Sequence, residues 1–335
     1  MAIRTIRRVV QAAPTLEGAG VRLHRAFGFG DSSDYDPFLL LDDFRSDDPE
    51  DYRAGFPMHP HRGIETITYV LAGNVEHRDS LGNHGVIGPG DVQWMTAGRG
   101  IIHEEMPRGD AQGRMHGFQL WANLPAALKM TEPRYQEVKA EEIPEVASYD
   151  GARVRIICGR FRELTGVVRG IAADPVYLDV SVPPRMRSGL PVASGRHAFA
   201  YVFAGSGAFG KGAARLDAGE PPGLSKTPPS TWERGREDRS TAAAKLESRS
   251  AASAGEPESL PFARAGNRTL VLFDEGGEIL VEAGDEGVRF LLVSGVPLRE
   301  PVAWRGPIVM NTQDELRAAF AQLREGTFLQ ARSAG

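Results

Sequence analysis

The chain has 335 residues, long for one hydrophobic core and suited to two domains, with the 39 Gly and 23 Pro that many short strands and tight turns require. Its net charge of −5 gives no electrostatic footing for binding nucleic acid. One cysteine, Cys158, excludes an internal disulfide, and with no apolar leader or long apolar run the expectation is a cytoplasmic protein without a membrane span.

The first chemical signal along the chain is His59-Pro60-His61. On a strand, residues two apart point to the same face, so the two imidazoles would project together. His103-Glu104-Glu105 repeats the spacing, with His103 and Glu105 on one face and Glu104 on the other. Two such pairs facing each other across a barrel would set three imidazoles and one carboxylate around one point. That donor set suits Fe(II), Mn, Ni or Zn with coordination positions left open. The His-x-His pair alone is also what polar decoration of an exposed strand looks like. Ile101 shares the face of His103 and Glu105, and a carboxylate on a partly apolar face needs a partner.

Glu65 alternates with Ile67, Tyr69 and Leu71 on one strand face. Three roles are open to it: a fourth or alternative ligand, an acceptor for a ligand imidazole, or a core carboxylate satisfied by arginine. His77 and His116 are open to lining a pocket or to being satisfied core histidines. Cys158 reads as a buried, inert strand residue.

Tyr69-Val70-Leu71-Ala72-Gly73 is echoed by Tyr201-Val202-Phe203-Ala204-Gly205, and His197, Phe199, Tyr201 and Phe203 alternate as the earlier strand does. Val176, Leu178, Val180 and Val182 make a further strand face. The echo places His59 and His61 at Pro191 and Ala193. Aligning Gly90-Asp91-Val92 with Gly277-Glu278-Ile279 places His103 and Glu105 at Phe290 and Leu292. One half thus keeps the candidate ligands and the other lacks them. Within the second half, about 211–264 is rich in Pro, Ser, Ala and Gly and poor in large apolar residues, which predicts a disordered insertion in a loop. A short helical turn is expected near Pro125 to Lys129. Thr312-Gln313-Asp314-Glu315 reads as a capping box, followed by Leu316, Phe320 and Leu323 on one face and Gly326 as the C-cap. The remainder reads as short strands in a sandwich or barrel.

At this point a resemblance enters. His59-Pro60-His61-Arg62-Gly63-Ile64-Glu65-Thr66 and the run from Gly88 to His103 resemble the pirin family of the cupin superfamily, as do His77 to Asn83, Pro297 to Pro301 and Gly306 to Asn311. The resemblance implies an all-β fold of two cupin barrels in tandem: 1–135 metal-binding, 136–310 metal-free and carrying the insertion, and 311–335 a helix and tail. It implies one metal, usually iron, on His59, His61, His103 and Glu105; general cupins use the glutamate at the place of Glu65, so that rival stays open. Mn, Ni, Zn and Cu are further candidates. The implied activity is that of a quercetin 2,3-dioxygenase, with a planar aromatic substrate and O2, Glu105 taking a substrate proton, and Phe56, Met58 and Trp94 at the rim or in the core. The alternatives are a non-catalytic iron-binding redox sensor or co-regulator that docks to a protein partner, and a purely structural metal site.

Overall fold

Alternation along a strand gives it two faces, and the interior strands of this fold bury both. The computed structural model describes residues 2–148, 150–211 and 259–329. Ile64–Ala72 is an interior strand of a seven-stranded antiparallel sheet, between Val92–Thr96 and His116–Asn123, with Phe38–Asp43 next beyond the latter. His197–Gly210 holds the same place in the second large sheet, between Thr269–Phe273 and Glu278–Gly295, with Val176–Val182 beyond. The sequence echo is therefore an echo of position: Tyr69 and Tyr201 occupy matching sites on matching interior strands.

The two large sheets pack face to face. Ile67, Tyr69, Trp94, Phe118 and Leu120 from the first share one buried cluster with Tyr177, Phe199, Tyr201, Leu270 and Leu291 from the second. Removing each large side chain of this layer from water contributes about 1.5–3 kcal/mol, the main force joining the halves. Cys158 is free and buried in this layer, and burial pushes its thiol up to about 12.

A four-stranded sheet, in the order Phe56–His61, Ile101–Arg108, Asn74–Asp79, His84–Ile87, closes the first barrel. The second barrel closes differently: His197–Gly210 and Glu278–Gly295 are long enough to bend over and pair again through their far halves. The bend falls at Gly205, where φ is +62 and a Cβ would stand 2.1 Å from the Gly287 carbonyl oxygen, so glycine is needed. The interiors differ as well. The second barrel is filled by aliphatic and aromatic side chains, Leu178, Leu190, Val202, Phe209, Ile279 and Phe290 among them. In the first, buried polar and ionisable residues lie between two smaller apolar clusters.

Three expectations need correction. Domain limits do not follow the chain: Ile6–Gln11 pairs with Thr269–Phe273 in the second large sheet. The hairpin of Ala303–Arg305 and Ile308–Met310 returns instead to the first barrel, where Ile308 bridges Arg62. Strand pairing between distant segments leaves no trace in local periodicity, which is why the limits 1–135, 136–310 and 311–335 miss it. Secondly, Phe290 and Leu292 pair with Val180 and Leu178, so they match the inner sheet, not His103 and Glu105. The counterpart of the His103 strand is the first part of Glu278–Gly295, which pairs with Arg187–Pro191. No histidine occurs on either segment, so the second barrel lacks the imidazoles even though the alignment was misplaced. Thirdly, Phe262–Gly266 is a strand, so the expected insertion ends sooner; its bulk, 212–258, lies outside the described residues.

The C-terminal helix runs Gln313–Glu325 with the expected caps. Thr312 and Glu315 form the reciprocal box, and Gly326 ends it at φ +72. Leu316, Phe320 and Leu323 pack with Ile308, Met310 and Phe328. The turn near Pro125 is a short 3-10 helix, Ala126–Leu128. Among the described residues, no helix is long and apolar enough to cross a membrane.

Candidate metal centre

Antiparallel pairing sets His103 opposite His59, and Ile101 opposite His61. The three imidazoles meet inside the first barrel, with one ring nitrogen from each within 4.8 Å of the others. His59 is partly exposed, whereas His61 and His103 are buried.

Backbone carbonyls fix two of the tautomers. His59 Nδ1 lies 2.9 Å from the Pro57 oxygen and His61 Nδ1 lies 3.2 Å from the Pro307 oxygen. A carbonyl only accepts, so each Nδ1 carries the proton and each Nε2 presents a lone pair. Those two Nε2 atoms stand 3.0 Å apart. Two lone pairs at that distance repel unless a proton or a cation lies between them. Two nitrogens at about 2.1 Å from one cation, on adjacent corners of an octahedron, are separated by about 3.0 Å. His103 adds to this: it is buried, and neither of its ring nitrogens has a hydrogen-bond partner. Such an orphan costs about 1–3 kcal/mol, and a ligated cation would remove the cost. Burial, then the adjacent His59, pushes His61 well below the usual histidine range; burial, then the neighbouring imidazoles, does the same to His103. Both are neutral at pH 7, as ligands must be. The donors present therefore fit a divalent transition metal.

Glu105 stands outside this group. It is buried on the same strand face as His103, opposite His77, but its carboxylate is otherwise engaged. Thr68 Oγ1 donates to Oε1 at 2.8 Å, and Gln119 Nε2 donates to Oε2 at 2.7 Å. Glu65, in contrast, is on the wrong side of its strand. It pairs laterally with Thr96 and Ala122 and faces the layer between the large sheets. Thr96 Oγ1 donates to Glu65 Oε1 at 2.8 Å, and Oε2 has no hydrogen-bond partner. Burial pushes this carboxyl up to about 7 against the pull of Thr96 and Trp94. Neither a ligand role nor an imidazole-accepting role fits that position, and the core carboxylate is held by a threonine rather than an arginine.

A cavity of about 530 Å³ opens onto His59 and His61. Its wall is a chain of rings. Trp121 meets His61 edge-on at 5.0 Å, Trp304 lies 6.0 Å from Trp121, and Phe29 lies 5.6 Å from Trp304. Gln119 and the Arg25–Asp42 pair form its polar part, with Arg25 bidentate on Asp42 at 2.8 and 2.7 Å. Burial pushes Asp42 up to about 6, with Arg25 pulling the other way.

Phe56 lines this cavity as expected. Met58 is half exposed and absent from the lining, and Trp94 is wholly buried between the large sheets. His77 is buried 3.3 Å from Asp79 and 5.3 Å, ring to ring, from His103, behind the cluster and not on the cavity wall. His116 hydrogen-bonds Asp47 at the edge of a separate groove of about 880 Å³ that holds none of the clustered imidazoles. Sequence reading missed Trp121, Gln119, Thr68, Phe29 and Trp304. Gln119 and Trp121 were findable, because they alternate on one strand face; Trp304 carries no local signal.

Comparison with known proteins gives a consistent picture. The family profile described as Pirin matches residues 20–122, and the Pirin C-terminal cupin domain profile matches 254–329. A pirin-like protein of Caulobacter vibrioides is 39% identical over 98% of this chain and 100% of its own length. A Pseudomonas aeruginosa protein named as a candidate quercetin 2,3-dioxygenase is 37% identical, over 93% of this chain and 94% of its own. Among solved structures, quercetin 2,3-dioxygenase from Acinetobacter baumannii superposes with a TM-score of 0.76 at 27% identity, covering 98% of this chain and 99% of that one.

Proposed function

The chain belongs to the pirin family, and from that premise we propose that it is a metal-dependent dioxygenase that opens flavonols such as quercetin with O2. His59, His61 and His103 would hold the metal and Glu105 would complete the set. Fe(II) is the ion of this reading, with Mn, Ni, Zn or Cu suited to the same donors. The observation that carries it is the pair of His59 and His61 Nε2 atoms, 3.0 Å apart, with each ring held at Nδ1 by a backbone carbonyl, at the floor of an aromatic-walled cavity. The names of the relatives supply the substrate class.

When bound, such an ion supplies Lewis acidity that lowers the pKa of a substrate hydroxyl and spreads the resulting charge. The protein does the rest. The Pro57 and Pro307 carbonyls hold the imidazoles in the ligating tautomer. Trp121, Trp304 and Phe29 give a planar substrate flat apolar surface, and the cavity volume is in the usual range for small-molecule sites. Glu105, released from one of its two hydrogen bonds, would accept the hydroxyl proton. The same reading places the protein in the cytoplasm.

Protein loaded anaerobically with Fe(II) should consume O2 on addition of quercetin, and Glu105→Ala should abolish the uptake. His59→Ala should weaken metal retention by at least about tenfold. Metal retained in full by His59→Ala would remove the assignment. Retention by the wild type with no uptake across Fe, Mn and Ni would leave the redox-sensing co-regulator instead, whose protein partner would bind in a metal-dependent way.

A further inference from the structure

In the four-stranded sheet the strand of His103 lies between the strand of His59 and the strand of His77. Its lateral neighbour is His59 on one side and Asp79 on the other. The rings of His59 and His61 thus approach His103 from one flank, at 4.4 and 5.0 Å, and the ring of His77 from the other, at 5.3 Å. Asp79 is surrounded by donors. Its Oδ1 accepts from the Leu81 and Asn83 backbone at 2.9 and 3.0 Å, and its Oδ2 accepts from the Asn83 side-chain amide at 2.8 Å and lies 3.3 Å from His77 Nε2. A carboxylate only accepts, so Nε2 carries the His77 proton, and Nδ1 of the neutral ring is a lone pair. That Nδ1 is buried without a partner. Tyr135, stacked on the ring at 5.0 Å and 30°, holds its plane. His103 is the complement. Neither of its buried nitrogens has a partner, and one of them carries the ring proton. An unmatched acceptor and an unmatched donor therefore sit on neighbouring buried rings, where a turn of the imidazole brings them toward hydrogen-bond distance.

We infer that His77 is a positioning residue: its Nδ1 accepts the ring N–H of His103 when a cation takes the other His103 nitrogen, and Asp79 fixes the tautomer that lets it accept. The inference rests on the reading of the imidazoles as a metal site. A ligating imidazole needs an acceptor for its second nitrogen, which sets its tautomer and its orientation. His59 and His61 have backbone carbonyls in that place, and His103 has none. His77 supplies the missing acceptor, and through it the Asp79 charge strengthens His103 as a donor to the cation. The turn from Asp79 to Asn83 thereby acts on the metal site without touching the metal.

The test is Co(II) binding to the full chain after stripping with a chelator. Affinity is read by equilibrium dialysis, and the ligands by proton NMR in water, where each ligated imidazole gives one paramagnetically shifted, exchangeable ring N–H signal. Wild type should show three. His77→Phe, which keeps a ring against Tyr135, should lose or shift the His103 signal while the two held by the Pro57 and Pro307 carbonyls stay, and should bind Co(II) roughly tenfold more weakly. Asp79→Asn keeps an oxygen for the turn but can offer its amide N–H to His77 Nε2, which moves the ring proton to Nδ1. It should weaken binding as much, and it carries the test if His77→Phe does not fold. The double variant should bind like either single one. Unchanged affinity and three unchanged signals in both single variants overturn the inference alone. Four signals in wild type would make His77 a ligand and overturn it too. Losses that add in the double variant belong to packing and overturn it as well. Wild type that takes up no Co(II) removes the metal-site reading and this inference with it.

Discussion

Glu65 and Glu105 show how one carboxylate differs from another through its surroundings. Both are buried, and both share a strand face with apolar neighbours. Glu105 has each oxygen satisfied inside the barrel, whereas Glu65 has one oxygen without a partner between the sheets. Burial raises the Glu65 carboxyl to about 7, so the folded state keeps a proton there that the unfolded chain releases near 4.5. Stability from this group is therefore greatest at low pH, falls as pH rises from about 4.5 to about 7, and is level above. Glu65→Gln should remove that slope, gaining on the order of 3 kcal/mol over wild type at pH 8 and little at pH 4.5 in urea denaturation. Its metal content should equal that of wild type; loss of metal would return Glu65 to the ligand set.

The elements flanking His59 and His61 are tied down by groups a helical or strand pattern cannot announce. Gly63, with φ +77, lies so close to the C-terminal hairpin that a Cβ would stand 1.9 Å from the Val309 oxygen. Lys129 is buried beneath it, donating to the Gly63, Val309 and Asn123 oxygens, and burial pushes its ammonium down to about 7. Arg62 reaches in the other direction. It donates to the Arg99 carbonyl, to Gln322 on the helix and to the Phe328 carbonyl, and its guanidinium lies 4.1 Å from the Phe328 ring centroid. The helix itself was legible, since capping box, apolar stripe and terminal glycine are local signals. Its role in bracing the turn after His61 was not, because Arg62 reads like any other arginine. Arg62→Met should cost about 2–4 kcal/mol by leaving buried carbonyls unpaired. Limited proteolysis should then release the segment after Asn311 while the rest resists; an uncut helix in the variant would assign its docking to apolar contacts alone.

Across the whole molecule, the duplication is written in two reciprocal hydrogen-bond sets. Tyr69 of the first barrel donates to Asp179 of the second at 2.7 Å, and Arg289 grips that aspartate at 2.9 and 2.6 Å. Tyr201 of the second barrel donates to Asp43 of the first at 2.8 Å, and Arg45 grips it at 2.7 and 2.6 Å. Burial raises both tyrosine hydroxyls, and the aspartate each one bonds raises them further, so both stay protonated donors at neutral pH. With strands exchanged in both directions as well, the barrels should unfold together. Tyr69→Phe and Tyr201→Phe should each cost about 1–2 kcal/mol and add when combined. Calorimetry should keep a single transition in all three variants; two transitions would show barrels that are thermodynamically separate.

What the sequence determined by itself was local chemistry: three imidazoles and a carboxylate in same-face pairs, the caps of one helix, and a repeated strand. These follow from bond geometry over a few residues, where side chains alternate on a strand and recur on a helix. Only the tertiary structure decided which sheet face becomes a barrel interior, and so which glutamate sees the histidines. It also decided that Trp304 and Pro307 return to line the site, and that Thr68 and Gln119 hold Glu105. Those outcomes depend on pairing between segments far apart in the chain. Their cost in chain entropy is met by burial summed over two sheets rather than by any signal within one stretch.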